Sequence, residues 1–329
     1  MNDTEEVIVN RTEIIRDSIL RFQHLPLRTI ARYILHNYGP LFDNNIEGIR
    51  SRIRYQVGKV GEVSRGKVKD RIERTGEIRI PKTWTPKKTP YNLKPGLWLC
   101  LADVHAPFHS PKAIEAAVKY GQAEGVDGIL LLGDFQDCAA ITFWPSTAKR
   151  DFDKEVEVVI DLLDFIEQSF PGKQIVFVPG NHSWRLPRYY AAKAPELIGL
   201  PLLAMESALG FEYRNIEMPE YNQIVMAGKL PVIHGHQVKG TSPVNPARGL
   251  FLKTMSWSLC GHFHRSSEHT SSNIRGEYLT TWSVGCLCDL NPDYAPLNSW
   301  NWGFALINVE KNGNFEVSNR RILPSGAVV

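Results

Sequence analysis

The chain has 329 residues, of which 43% are hydrophobic and 22% charged, and its formal net charge at pH 7 is +3. That length holds one large domain with a sizeable core and a smaller appendage. Its longest apolar runs fall well short of the roughly 20 residues that cross a bilayer, and the acidic start Met1-Asn2-Asp3-Thr4-Glu5-Glu6 lacks the basic and apolar regions of a signal peptide, so a soluble, cytoplasmic protein with no membrane partner is expected.

The first elements read as helices. Ile14, Ile15, Ile19, Leu20 and Phe22 recur at helical spacing, Leu25-Pro26-Leu27 interrupts them, and Thr29 to Leu35 starts a second segment. After the Gly39-Pro40 turn a third candidate helix runs from Ile46 through Tyr55 and carries Arg50, Arg52 and Arg54. Helix, helix, turn and basic helix is a helix-turn-helix-like order, and it makes these three arginines nucleic-acid-binding candidates. Three short amphipathic helices equally serve as protein-binding or dimerising modules.

Basic residues then dominate. Between Arg50 and Lys94 fourteen Lys and Arg face four Asp and Glu, a local charge of +10, which suits a segment lying along an anionic surface. The expected organisation is a helical module at 1–60, a basic linker at 61–95 and a catalytic domain at 96–329.

From there strands alternate with helices and with polar strings. The run Leu97-Trp98-Leu99-Cys100-Leu101 leads into Asp103-Val104-His105, and Ile129 to Leu132 leads into Gly133-Asp134. Ile175 to Val178 precedes Gly180-Asn181-His182, Pro231-Val232-Ile233 precedes His234-Gly235-His236, and Trp257 to Cys260 precedes Gly261-His262-Phe263-His264. Five buried strands each end in potential ligands, so the strand ends are expected to converge on one sheet edge. Helical periodicity over Lys112 to Glu124 and Phe152 to Phe170 fills the gaps, and Tyr278 to Val284, Phe304 to Val309 and Phe315 to Val317 are expected to build a second, mostly antiparallel sheet.

The donor types set the chemistry. Carboxylates, imidazoles and one amide oxygen can hold two divalent cations side by side, with Asp134 as the bridge; such a pair clamps a phosphoryl group and acidifies water into a nucleophile. A metal-dependent hydrolase of phosphate esters follows.

The ordered strings, D-x-H, G-D, G-N-H, H and G-H-x-H, resemble those of the calcineurin-like metallophosphoesterase superfamily from about residue 97 to 325. The resemblance implies an α/β fold, a two-sheet β-sandwich flanked by helices, to which this chain adds its small all-α amino-terminal module. It further implies Asp103, His105 and His264 on the first metal, Asn181, His234 and His262 on the second, Asp134 bridging them, and His182 as the acid on the leaving oxygen or a stabiliser of the transition state. Protein serine/threonine phosphatases of the superfamily read G-D-x-x-D-R-G and G-N-H-E, whereas this chain reads Gly133-Asp134-Phe135-Gln136-Asp137-Cys138 and Gly180-Asn181-His182-Ser183-Trp184-Arg185. The departure favours phosphodiesterase or nuclease branches. The expected activity is hydrolysis of a phosphodiester, DNA or RNA, by a metal-bridging hydroxide, with two manganese ions by resemblance to the nuclease branches and iron, zinc or nickel as alternatives. A phosphomonoesterase, a cyclic-nucleotide phosphodiesterase and a nucleic-acid-binding protein on a metal-stabilised scaffold are the competing readings.

Other residues carry weaker signals. Arg185 is a substrate-contact candidate, and His236 joins it because Gly235 permits a sharp turn beside His234. Residues 183–221, with Trp184, Arg188, Tyr189 and Tyr190, and residues 289–302, with Tyr294, Trp300 and Trp302, are irregular segments that either shape the site or seal the core. Asp137 either positions Asn181 or His182 or is merely solvated. The 5 cysteines are an odd number; Cys100 and Cys260 read as buried thiols, and Cys286-Leu287-Cys288 reads as structural rather than metal-binding because no second pair completes a zinc site.

Overall fold

A computed structural model of the chain describes residues 10–58, 80–85, 88–143, 151–238 and 244–329. The chain divides into two compact units, Met1–Thr85 and Pro86–Val329. Most of the expected basic linker lies outside the described residues.

In the first unit α1 (Arg11–Arg21), α2 (Leu27–Tyr38) and α3 (Ile46–Val57) follow one another. Asn10 caps α1 by accepting from the Thr12 amide, Asn45 caps α3 by accepting from the Gly48 amide, and Pro26 ends the link into α2. Ile14, Ile15, Ile30, Ile34, Ile49 and Ile53 form a closed core between the helices. On α3, Arg50 pairs with Glu47, and Arg52 and Arg54 are exposed. At about 100° per residue, Arg50 and Arg54 flank one side of the Ile49–Ile53 stripe and Arg52 flanks the other, so the three arginines do not share a face.

The second unit begins with β1 (Tyr91–Asn92) and β2 (Gly96–Ala102); α4 (Pro111–Glu124) connects to β3 (Gly128–Leu132), and α5 (Phe152–Ser169) to β4 (Gln174–Val178). After α6 (Arg185–Lys193) and the single turn α7 (Met205–Ala208) come β5 (Ile216–Glu217), β6 (Val225–Ala227) and β7 (Leu230–Ile233). Helix α8 (Pro246–Thr254) precedes β8 (Ser258–Cys260), β9 (Ser267–Ser272), β10 (Tyr278–Ser283), β11 (Gly303–Val309) and β12 (Phe315–Arg321). These strands make two mixed six-stranded sheets, ordered β12-β11-β2-β3-β4-β5 and β1-β6-β7-β8-β10-β9.

The alternation of β2, β3 and β4 explains the layering. Leu99, Leu101, Ile129, Leu131, Ile175 and Phe177 point to α4 and α5, meeting Ala113, Ala117, Val159 and Leu163. Their neighbours Trp98, Cys100, Leu130, Leu132, Val176 and Val178 point the other way and pack on Val225, Leu230, Val232 and Leu259 of the second sheet. Strands buried on both faces read as unbroken apolar runs, as these do.

One expectation is corrected. Of the three segments assigned to a second antiparallel sheet, only β10 lies there, and it pairs parallel with β8 and antiparallel with β9. The β11–β12 hairpin instead extends the first sheet, with Ile307 opposite Trp98. Hydrophobic alternation specifies a strand and its faces but not its partner, and β2 offers β11 an edge whose two faces are already covered. No helix among the described residues is long and apolar enough to cross a membrane.

Candidate metal centre

Parallel pairing brings strand ends together. Strands β2, β3 and β4 pair in parallel, so the segments holding Asp103 with His105, Asp134, and Asn181 with His182 leave the first sheet side by side. Strands β7 and β8 are parallel in the second sheet and release His234 and then His262 with His264. The expected single edge is therefore two edges, one per sheet, brought face to face by the shared core.

Asp103, His105 and His264 form one cluster whose ligand atoms all lie within 4.8 Å of one another. His105 Nε2 stands 3.1 Å from His264 Nε2, and Asp103 Oδ1 is 3.4 Å from His264 Nε2 and 3.9 Å from His105 Nε2. Asp103 Oδ2 accepts from the His262 amide at 2.7 Å, while Oδ1, fully buried, has no hydrogen-bond partner. His105 Nδ1 is occupied by Asp137 Oδ2 at 2.9 Å, which leaves Nε2 of its neutral form as a lone pair. Buried lone pairs converging on a buried anionic oxygen need a cation among them.

A second cluster joins Asp134, His234 and His262 within the same 4.8 Å limit. His234 Nδ1 faces the Leu132 carbonyl at 3.2 Å, a group that only accepts, so Nδ1 carries the proton and Nε2 is the donor atom for a metal. That Nε2 faces Asp134 Oδ2 at 3.0 Å and Asn181 Oδ1 at 3.1 Å, both acceptors. Burial opposes a charge on His234, but Asp134 and Asp103 outweigh it and push its pKa up to about 9. His262 goes the other way, to about 4, through burial and the neighbouring His234. The carboxylates thus favour positive charge between them, which His234 carries here and a cation would replace, while His262 is held neutral, and the residues present fit a two-cation site.

Asp137 is the hub behind these groups. Besides His105, it receives Arg185 Nη1 at 2.9 Å on Oδ1, and Arg185 Nη1 also reaches the Asp137 carbonyl at 2.8 Å. His182 Nδ1 lies 3.0 Å from that carbonyl, its Nε2 lies 3.1 Å from Arg185 Nη2 and 3.8 Å from Asp134 Oδ2, and its backbone amide donates to Asp134 Oδ1 at 2.8 Å. Burial opposes ionisation of Asp137, but the hydrogen bonds from His105 and His182 hold its carboxyl well below the usual range. It is buried and fully partnered rather than solvated, and its ring contacts are to His105 and His182, not Asn181. Its spacing three residues after Asp134 was the only signal in the sequence.

The backbone is held in an uncommon conformation here. Asp103, His105, Asp134, His262 and His264 all have positive φ, between 42° and 69°; this left-handed region is sparsely used by residues other than glycine and persists where surroundings over-determine it. Two glycines make room. A Cβ on Gly133, φ 74°, would sit 2.0 Å from His234 Nδ1, and one on Gly180 would sit 2.2 Å from Asp134 Oδ1.

The remaining candidates divide. His236 stacks on Tyr221 at 5.4 Å and lies 5.5 Å from the His234 ring and 6.2 Å from His262, so it borders the site. Trp300 packs edge-on against His264 at 4.1 Å, and Trp302 donates to the Cys288 carbonyl at 2.8 Å, giving the 289–302 segment a sealing role. Cys286 and Cys288 are buried thiols, and their sulfurs form a group with His264 within 4.8 Å, with Cys288 Sγ 3.8 Å from His264 Nδ1. Neither the spacing nor the composition had placed them there. His269 of β9 packs on Phe251 of α8, and Arg50, Arg52 and Arg54 belong to the other unit.

Residues 98–258 match the calcineurin-like phosphoesterase family. This segment is a calcineurin-like phosphoesterase domain. The match covers Asp103, His105, Asp134, Asn181, His182 and His234 and stops just short of His262 and His264. Among solved structures, the chain resembles vacuolar protein sorting 29 of Cryptosporidium parvum (14% identity, 69% of this chain and 98% of that one, TM-score 0.35). It also resembles a dimetal phosphatase of Danio rerio (13%, 69% and 96%, 0.38) and the phosphoesterase YfcE of E. coli (13%, 68% and 98%, 0.30). No curated protein sequence matches the chain significantly.

Proposed function

We propose that this calcineurin-like phosphoesterase domain is a phosphodiesterase acting on nucleic acid, DNA or RNA. The observation that carries the hydrolase part is the pair of donor clusters, each drawing side chains from both sheets around buried carboxylates. Asp103, His105 and His264 would hold one divalent ion, Asn181, His234 and His262 the other, with Asp134 shared. When bound, two such ions polarise the phosphoryl oxygens and lower the pKa of water. Manganese is the working choice for both, with iron, zinc and nickel compatible with the same donors.

The chain's own groups supply the rest. His182 donates Nδ1–H to the Asp137 carbonyl and turns Nε2 toward Arg185 Nη2, so Nε2 accepts here and, once it has taken up a proton and Arg185 has turned to the phosphate, is the atom that passes that proton to the departing oxygen. Asp137 fixes the His105 ring and anchors Arg185, whose guanidinium lends positive charge beside the scissile phosphate. His236, against Tyr221, borders the site beside His234. The diester preference is supported by Cys138 standing where protein phosphatases carry the Arg of their extended motif, by Ser183 in place of their Glu, and by the basic amino-terminal stretch.

An activity panel tests the reading: a small phosphomonoester, a small phosphodiester, single-stranded DNA, duplex DNA and RNA, each with manganese and with chelator. Metal-dependent cleavage of the diesters is expected to lead. Faster turnover of the monoester with no cleavage of any nucleic acid would make the protein a phosphomonoesterase. No hydrolysis under any divalent metal would leave a binding scaffold.

A further inference from the structure

A file of rings leads from the metal centre to the surface. His236 lies against His234 and His262; Tyr221 stacks on His236 at 17° between planes, its hydroxyl 3.0 Å from His236 Nε2. Trp184 then stacks on Tyr221 at 4.3 Å and 8°, nearly parallel. Aromatic pairs pack edge-to-face or offset-stacked; Phe135 and Phe177 in the core take the first form at 65°, and Trp184 with Tyr221 the second. This file differs in ending at the solvent, for Trp184 is 40% exposed.

Cationic charge accompanies its open end. Trp184 immediately precedes α6, and Arg188, one turn along, donates its amide to the Trp184 carbonyl at 3.1 Å. The Arg188 guanidinium sits over the ring of Phe143 at 5.2 Å, and Phe143 is itself 51% exposed. Arg185, on the same turn, reaches inward to Asp137 and His182. A flat apolar face beside guanidinium groups, within a few residues of the general acid, has the composition of a surface for a base and its flanking phosphate.

We infer that the Trp184 face turned away from Tyr221 is a nucleobase platform: it receives the base of a nucleotide next to the one whose phosphate is cleaved, while Arg188 meets the connecting phosphate. This rests on the nucleic-acid reading above and deepens it. Stacking accepts any base, so the platform confers grip on single strands without sequence preference. It also predicts discrimination against a duplex, whose bases are already stacked on each other.

The test is equilibrium binding of two tetranucleotides with non-hydrolysable phosphodiester linkages to the metal-loaded protein, one complete and one abasic at its interior positions. The intact protein is expected to bind the complete strand about 10-fold more tightly than the abasic one. Trp184→Ala should lose that preference by weakening only the complete strand, and Trp184→Phe, which keeps a ring, should retain most of it. Equal affinity of the intact protein for both strands overturns the platform and leaves the diesterase reading standing if the small diester is still cleaved. Equal weakening of both strands by Trp184→Ala overturns it too, assigning the indole to packing. Failure to bind either strand, with no diester cleaved, overturns the reading on which the platform rests.

Discussion

Asp137 Oδ2 lies 2.9 Å from His105 Nδ1, and the same carboxylate holds Arg185 at 2.9 Å. One side chain thus sets the orientation of a proposed ligand and of a proposed substrate contact. Outer partners of this kind commonly change metal affinity by 10- to 100-fold when removed. Asp137→Ala should weaken manganese binding by about that factor while circular dichroism stays that of the intact protein. Unchanged affinity in a metal titration would reduce Asp137 to a structural residue.

Asp134 is the carboxylate proposed to be shared. Asp134→Asn should lower the content of both metals, whereas His264→Ala should chiefly empty the first site. Elemental analysis of the purified variants reads this directly. Two ions per chain and normal turnover in Asp134→Asn would end the assignment.

Chemistry separates from metal retention at His182. Its Nδ1 is bound to a backbone carbonyl and its Nε2 lies 3.8 Å from Asp134, so His182→Gln should cut turnover by roughly 10²- to 10⁴-fold with most of the metal kept. The deficit should shrink for esters with good leaving groups. Loss of the metal instead would make His182 a ligand.

Gly180 tests how tightly the site is packed. A Cβ there meets Asp134 Oδ1 at 2.2 Å and the Asp134 backbone nitrogen at 2.4 Å, and backbone cannot step aside as a flexible side-chain tip can. Gly180→Ala should cost about 1–3 kcal/mol of stability and reduce metal content together. A thermal midpoint and metal content equal to those of the intact protein would show that the loop yields.

The amino-terminal unit is probed by replacing Arg50, Arg52 and Arg54 together with Ala. All three lie far in sequence from the donors, so metal content and cleavage of a small diester should hold while affinity for long DNA or RNA falls and its salt dependence flattens. Because Arg52 stands across the isoleucine stripe from the other two, Arg52→Ala alone should account for a minority of the loss. Unaltered binding at several salt concentrations would turn the unit into a partner-binding or dimerising module.

Much of this architecture is legible in the residues. Apolar runs ending in Asp103, Asp134, Asn181, His234 and His262 mark strands with donors at their ends, because a doubly buried parallel strand has no polar residue until it leaves the sheet. The three helices before Val57 and the two longer ones after Ser110 show the 3.6-residue period. What stays hidden depends on tertiary docking. That β11 lies beside β2, that His234 and His262 come from a different sheet than Asp103, and that Cys286 and Cys288 gather at His264 follow from which edges meet, and no local period encodes that. Asp137 is hidden for another reason: a single carboxylate in a loop reads alike whether it faces water or two imidazoles.

The contact between Asp103 Oδ2 and the His262 amide, 2.7 Å, joins residues 159 positions apart. At the roughly 5–20 residues per second of protein synthesis, the aspartate leaves the ribosome about ten to thirty seconds before the partner that completes its surroundings. Throughout that interval neither sheet is complete, because β11 and β12 of the first and β8, β9 and β10 of the second are still to be made. Loading of the proposed donors would accordingly be a late event, since each proposed site draws residues from both sheets.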